Sequence, residues 1–234
     1  MTFTVVIPAR LDSTRLPRKV LADIGGRPMV AHVHDRAMAS GAGWVVVATD
    51  SDEVAQACRG FGAEVLMTRS DHPSGTDRLA EAAAILGLPE EAVVVNLQGD
   101  EPLMPASLLG QVAEDLAAHP DAAVATLCAP LTGADAVFDP GVVKVVRDRA
   151  GYALYFSRAP IPWDRDRFAG AAPTLPADSV HARHLGIYAY RAGYLSRFAA
   201  AGPCDLERTE RLEQLRALWA GERIHVAEAR EAPP

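Results

Sequence analysis

The sequence predicts a three-layer α/β fold of Rossmann-like type, built on a mostly parallel mixed sheet. Residues 4–7, 45–49 and 93–97 are continuous, largely apolar runs, as strands buried on both faces require. Helix-length patterns fall between them, so each step from strand to strand reads as a crossover unit. At 234 residues, 49% hydrophobic and 23% charged, the chain has the apolar material to bury such a sheet.

The elements follow in order. Helix 28–40 opens with Pro28 near its first turn and stops at Gly41, the usual start and stop asymmetry. Strand 45–49 leads into helix 52–60, which Asp50 or Ser51 can cap. Residues 64–67 form a weaker fourth strand. Helix 76–86, strand 93–97 and helix 106–118 come next, the last just after Pro105. Beyond about residue 130 the rhythm changes. Segments 142–147 and 152–156 flank Asp148-Arg149-Ala150-Gly151 and read as a hairpin. Segment 159–176, rich in proline and charge, reads as a long loop. A strand at 185–190, a helix at 206–220 and a short strand at 224–227 complete the chain. The late helix carries Leu212, Leu215 and Leu218/Trp219 on its apolar face. No linker marks an independent second domain, so 1–234 reads as a single α/β domain.

Composition narrows the function. A formal charge of −7 argues against sequence-independent nucleic-acid binding, which needs a basic surface. Cys58, Cys128 and Cys204 are odd in number, far apart and without a CxxC pair, which suits a reducing compartment. The apolar run before Pro8 is too short for a signal segment, and nothing approaches the roughly 20 apolar residues of a membrane span. The expectation is a cytoplasmic chain with no membrane insertion and no nucleic-acid partner.

Against that acidic background, the stretch from Pro8 to Lys19 holds Arg10, Arg15, Arg18 and Lys19. Ligands of open parallel sheets bind outside the carboxyl ends of the strands, where this loop begins. Arginine forks and a lysine point charge suit phosphate oxygens. Charge alone leaves two readings, a solvated loop or a phosphate cradle. The stretch is neither a Walker loop nor a GxGxxG fingerprint. Gln98-Gly99-Asp100-Glu101-Pro102 leaves another strand end. Its carboxylate suits Mg²⁺, which takes one or two protein carboxylates plus phosphates and water, although Gly-Asp-Glu-Pro is also a common turn. Residues 71–78 make a turn with Ser74 or Thr76 as N-cap, and helix N-terminal amides attract anions. His184 and Tyr188 alternate with apolar residues, so period two places both on one strand face. His181/His184 and His32/His34 have spacings that do not make a metal pair. Glu207/Arg211 and Glu210/Gln214 are i,i+4 neighbours on the late helix, enough to explain a solvated face.

Together these blocks resemble the sugar-acid cytidylyltransferase family, and within it the enzymes that act on 3-deoxy-D-manno-octulosonate (Kdo). The likeness starts with Val6-Ile7-Pro8-Ala9-Arg10, Ser13-Thr14-Arg15-Leu16-Pro17 and Lys19. It continues through the QGDEP and SGT-D-R blocks, YFSR and IPWDRD at 155–166, RHLGIY at 183–188 and LEQLR at 212–216. Ala189 stands where the family usually has glycine. The resemblance spans residue 3 to about residue 228. It implies a nucleotide-diphospho-sugar-transferase-like fold, usually homodimeric. Residues 1–130 would form the nucleotide-binding half, and 131–234 the sugar-acid-binding and dimerisation half. The implied reaction joins CTP and Kdo to give CMP-Kdo and pyrophosphate for lipopolysaccharide biosynthesis.

The resemblance also implies residue roles. Pro8, Ala9, Arg10, Arg15, Lys19, Ser74, Gly75 and Thr76 would hold the nucleotide. Arg78, Gln98, Arg165, His184, Tyr188, Glu213 and Gln214 would face the sugar acid. Lys19, Arg10 and Asp100 would be catalytic, with Asp100 the Mg²⁺ ligand and Glu101 in support. Family members continue past the last strand with a DTPEDL-like segment that gives a second metal carboxylate, whereas this sequence reads Glu228-Ala229-Arg230-Glu231-Ala232-Pro233-Pro234. The expectation drawn from that difference is CTP binding with poor turnover. Another acceptor, such as sialic acid, and a non-catalytic CTP-binding protein are the alternative readings.

Overall fold

Five consecutive residues, Thr4–Pro8, form strand β1, and the first four have no more than a trace of solvent exposure. The computed structural model describes residues 2–11, 18–170 and 173–231. After β1 come a 3₁₀ turn (Lys19–Leu21) and a two-residue ribbon, β2 (Asp23–Ile24) and β3 (Arg27–Pro28). Then follow α1 (Met29–Met38), β4 (Trp44–Thr49), α2 (Asp52–Gly60), β5 (Glu64–Met67), α3 (Gly75–Ile85), β6 (Val93–Asn96), α4 (Ala106–Ala118) and β7 (Val124–Pro130). The rest comprises α5 (Ala134–Phe138), β8 (Lys144–Arg147), β9 (Ala153–Ser157), β10 (Ala182–Arg191), α6 (Ala192–Ala201), α7 (Asp205–Glu210), α8 (Leu215–Trp219) and β11 (Ile224–Glu228).

The nine-stranded sheet runs β11-β7-β10-β6-β1-β4-β5, with β8 and β9 continuing from β10. β6, β1, β4 and β5 are parallel, as are β7 and β11, while β10 runs antiparallel between β6 and β7. Strand side chains alternate between faces, and both faces are apolar. Val5, Ile7, Val45, Val47, Val93 and Val95 pack with α1, α2 and α4. Val6, Ala48 and Val94 pack on the other face with α3, α6 and α8. The expected three layers and mixed sheet are therefore present.

Most first-half elements match the expected boundaries within two residues, and Ser51 caps α2 through its side chain. The second half departs further. Strand β7 and helices α5 and α6 are not among the expected elements, although β7 is buried along nearly its whole length. The expected strand at 185–190 extends over 182–191, with a bulge between Leu185 and Tyr188. The predicted helix 206–220 is broken. Arg211 adopts a left-handed conformation (φ 55°) between α7 and α8. The i,i+4 pairs inferred for a continuous helix give way to other partners. Glu207 holds Arg216 through two 2.8 Å contacts, and Glu210 accepts from Ser157 Oγ and the Arg158 amide.

Candidate active site

The carboxyl ends of β1 and β6 meet at Gly99. A Cβ there would stand 2.9 Å from the Pro8 carbonyl oxygen and 3.5 Å from the Ala9 methyl. No side chain fits that gap without movement, so glycine lets the turn after β6 lie against the end of β1. The start of α3 reaches the same edge: a Cβ on Gly75 would lie 3.7 Å from both the Gln98 amide group and Pro8 Cγ. Ser74 caps α3, accepting from the Asp77 amide at 3.2 Å. Pro8, Ala9, Gly75, Thr76 and Gln98 thus gather at a parallel-sheet edge with a helix N-terminus, an arrangement suited to phosphate.

Charge lies at the rim. Lys19, in the 3₁₀ turn, places its Nζ 2.8 Å from Asp100 Oδ2, with both side chains partly exposed. Arg10 is exposed just beyond β1. Arg15 lies outside the described residues. Desolvation, then the neighbouring Asp100 charge, raise the Glu101 carboxyl above its ordinary range, against the opposing pull of Lys19. Asp100 already binds an ammonium group through a hard carboxylate oxygen, so its chemistry fits a divalent cation of the Mg²⁺ class.

A second cluster joins α3 to the segment between α7 and α8. Ser74 Oγ lies 2.5 Å from Asp77 Oδ2 and 2.6 Å from Glu213 Oε1. One hydroxyl carries one proton, so the two contacts together call for a proton on a carboxyl group. Glu213 is the group pushed up, first by burial, against hydrogen bonds from Ser74 and Thr76 and the charge of Arg216. Behind it, Arg216 is almost fully buried, paired with Glu207 at 2.8 Å and near Asp77 at 3.5 Å.

On β10, His184 and Tyr188 come together as the strand period implies, with ring centroids 5.3 Å apart. Thr126 Oγ1 lies 2.7 Å from the Ile187 carbonyl and 2.9 Å from His184 Nε2. If the hydroxyl proton goes to that carbonyl, Nε2 carries the imidazole proton and Nδ1 is left as an acceptor. Desolvation without a charged partner drives the His184 imidazole down to about 3. Burial, then the Glu213 charge, push the Tyr188 hydroxyl up.

The remaining expected residues differ in burial and partners. Arg78 is buried and committed to Thr68 and to Asp50, the latter at 3.0 Å. The Arg165 side chain is 91% exposed and lies 3.5 Å from its neighbour Asp166. Gln214 is buried, and its Nε2 has no hydrogen-bond partner among the described residues. Asn96 Oδ1 is in the same position, on β6 opposite Tyr188. Asn96 is a residue that sequence reasoning passed over; its signal was a polar side chain inside an otherwise apolar strand.

Asp115, His119 and His225 also cluster among the described residues. His225 Nδ1 lies 2.7 Å from Asp115 Oδ2, and the two imidazoles stack with centroids 3.5 Å apart and planes 14° apart. Imidazoles that share one metal at about 2.0–2.1 Å diverge from it. Rings lying face to face aim their lone pairs past any common centre, so this group ties α4 to β11.

A family model described as cytidylyltransferase matches residues 4–224. The chain belongs to the cytidylyltransferase family. Within the family, it is 60% identical over 232 residues to a 3-deoxy-manno-octulosonate cytidylyltransferase of Pseudomonas fluorescens, covering 99% of this chain and 91% of the relative. The corresponding protein of Hahella chejuensis is 57% identical over the same shares. A solved CMP:2-keto-3-deoxy-manno-octonic acid synthetase complexed with CTP superposes with a TM-score of 0.86 at 40% identity, covering 98% of this chain and 90% of that one. A nucleotidyl transferase of Methanothermobacter, at 16% identity and a TM-score of 0.60 over 98% of this chain and 88% of the other, shares the fold.

Proposed function

We propose that this chain transfers CMP from CTP to the 2-hydroxyl of Kdo, giving CMP-Kdo and pyrophosphate. The reading rests on likeness over 99% of the chain to 3-deoxy-manno-octulosonate cytidylyltransferases. The observation that ties it to chemistry is the edge where Pro8, Gly75 and Gln98 meet beside Lys19 and Asp100. The sugar hydroxyl attacks the α-phosphorus in line and pyrophosphate leaves, a reaction that needs positioning and charge compensation more than covalent help. Pro8, Ala9 and the start of α3 form the nucleotide side. Lys19, with Arg10 and Arg15, meets phosphate charge. Asp100 would hold Mg²⁺, which when bound neutralises charge on the phosphate oxygens.

Gln98, His184, Tyr188, Glu213 and Gln214 form the acceptor side. A neutral His184 offers hydrogen bonds to a polyol without adding charge, and Glu213, its carboxyl pushed up by burial, belongs to the same side. Arg78 braces this side from behind through Asp50, and Arg165 meets the acid from the long loop. In this reading residues 1–130 carry the nucleotide site and lend Arg78 and Gln98 to the acceptor, while 131–234 serve the acceptor and dimerisation. Leu154, Trp163 and Val180, all well exposed, are the apolar side chains that a homodimer would cover. Among the described residues no helix is long and apolar enough to cross a membrane, and we place the enzyme in the cytoplasm, supplying lipopolysaccharide synthesis.

A pyrophosphate-release assay with Mg²⁺ tests the reading, pairing CTP, UTP or ATP with Kdo or sialic acid. The expected result is release with CTP and Kdo well above every other pair. Equal or greater release with sialic acid would move the acceptor assignment, and CTP binding without release under any acid would remove the catalytic one.

A further inference from the structure

We propose that Lys19 and a divalent cation compete for Asp100, so that drawing the ammonium onto a triphosphate frees the carboxylate for metal. The inference rests on the reading of Asp100 as metal ligand. Its basis is the direct pairing of the two groups assigned to opposite tasks: Lys19 Nζ lies 2.8 Å from Asp100 Oδ2.

Both anchor points are fixed by backbone. The Arg18 amide donates to the Leu11 carbonyl at 3.1 Å, and the amides of Leu21 and Ala22 close the 3₁₀ turn on Arg18 and Lys19. Arg18 itself adopts a left-handed conformation (φ 60°) and pairs with Glu53. At the other end, Asp100 follows Gly99, which is wedged against Pro8. Only the long lysine stem is free to swing between partners. The side chains are 35% and 42% exposed, so the pair is a weak surface interaction that a stronger partner exchanges easily.

A metal cannot share Asp100 Oδ2 with the ammonium at low cost. Mg²⁺ sits about 2.0–2.1 Å from its oxygen ligands. An ammonium on the same carboxylate oxygen would then stand roughly 3–4 Å from a doubly charged ion, where like charges repel strongly. A triphosphate resolves the conflict by giving the ammonium several anionic oxygens. Because the lysine leaves Asp100 to meet the phosphates, nucleotide binding strengthens metal binding, and metal strengthens nucleotide binding by the same factor. Lys19 thus acts twice, as a phosphate contact and as the group that delays metal entry.

The test is titration of the full chain with Mn²⁺ alone, with no nucleotide, following free ion by electron paramagnetic resonance. Wild type is compared with Lys19→Met, Lys19→Gln, Asp100→Asn and the Lys19→Met/Asp100→Asn double variant, each checked for an unchanged melting temperature. Both Lys19 variants should bind Mn²⁺ roughly three- to tenfold more tightly than wild type, and the double variant should lose that gain. Lys19 variants no tighter than wild type would overturn the exchange. Pyrophosphate release separates this failure from failure of the parent reading. If Asp100→Asn keeps wild-type Mg²⁺-dependent release, Asp100 is not the ligand and the proposal falls with it. If Asp100→Asn loses release while the Lys19 variants gain no affinity, only the exchange is wrong.

Discussion

Gly99→Ala is the most local perturbation of the proposed site. The added methyl would lie 2.9 Å from the Pro8 carbonyl oxygen, 3.4 Å from Val20 Cγ1 and 3.5 Å from Ala9 Cβ. Carbon to carbonyl-oxygen contacts settle at about 3.3–3.6 Å, so the gap is short by roughly half an ångström. The end of β1 cannot readily yield. Pro8 is in register with Ala48, and the Leu97 amide donates to Val6 at 3.2 Å. The strain therefore goes into the turn 98–101, which carries Gln98 and Asp100.

Overpacking of this kind costs about 1–3 kcal/mol. For a chain of this size that is a melting-temperature loss of about 2–12 °C. Misplacing a reacting group by about 1 Å costs roughly 10²-fold in rate, so kcat/KM should fall about ten- to a hundredfold. Gly60→Ala is the matched control, because Gly60 ends α2 with no atom within 4 Å of the added methyl. Scanning calorimetry and pyrophosphate release read both effects. Gly99→Ala with wild-type stability and turnover would refute the argument that close approach of the two strand ends builds the site.

Two further outcomes test the acceptor side. Arg216→Ala leaves Glu207 and Asp77 without their buried cation and should cost about 3–5 kcal/mol; denaturant unfolding measures it, and a loss below about 1 kcal/mol would remove Arg216 as the brace of this cluster. His184 governs a pH effect. Its folded value of about 3 lies below the unfolded 6.5, so on acidification the unfolded chain takes up the proton first. Its contribution is full above pH 6.5 and is lost as pH falls toward 3. Some exposure of the side chain makes about 1–2 kcal/mol between pH 7 and pH 5 a fair expectation. His184→Gln should flatten that part of the stability profile, and an unchanged profile would contradict a neutral, desolvated imidazole.

The first half of the fold was legible because β1, β4 and β6 are buried on both faces and punctuated by caps, which leaves continuous apolar runs in the sequence. The second half was less so. β7 reads Val-Ala-Thr-Leu-Cys-Ala-Pro, weakly hydrophobic by type, and it is buried by its place between β10 and β11 with α4 packed on one face. The break at Arg211 carries no glycine or proline to announce it; the pairing of Glu207 with Arg216 accompanies it. Site residues divide the same way. Pro8, Gly75, Gln98, Lys19 and Asp100 are at strand ends or a helix start, where sequence order already puts them on one sheet edge. The bonds of Arg78 to Asp50 and Thr68 are not legible in the sequence, because they arise only when α3 packs beside the end of β4. Lys144, fully buried with its Nζ 2.6–2.9 Å from the carbonyls of Asp139, Val142 and Arg158, is likewise invisible in one dimension.

The central claim is transfer of CMP to a sugar-acid hydroxyl at this edge. Phosphorus NMR of the chain incubated with CTP, Mg²⁺ and Kdo observes that transfer directly. The account predicts a new phosphodiester signal and pyrophosphate growing in equal amounts as CTP disappears. Release of CMP or inorganic phosphate without the phosphodiester, or no consumption of CTP by folded protein, would contradict it.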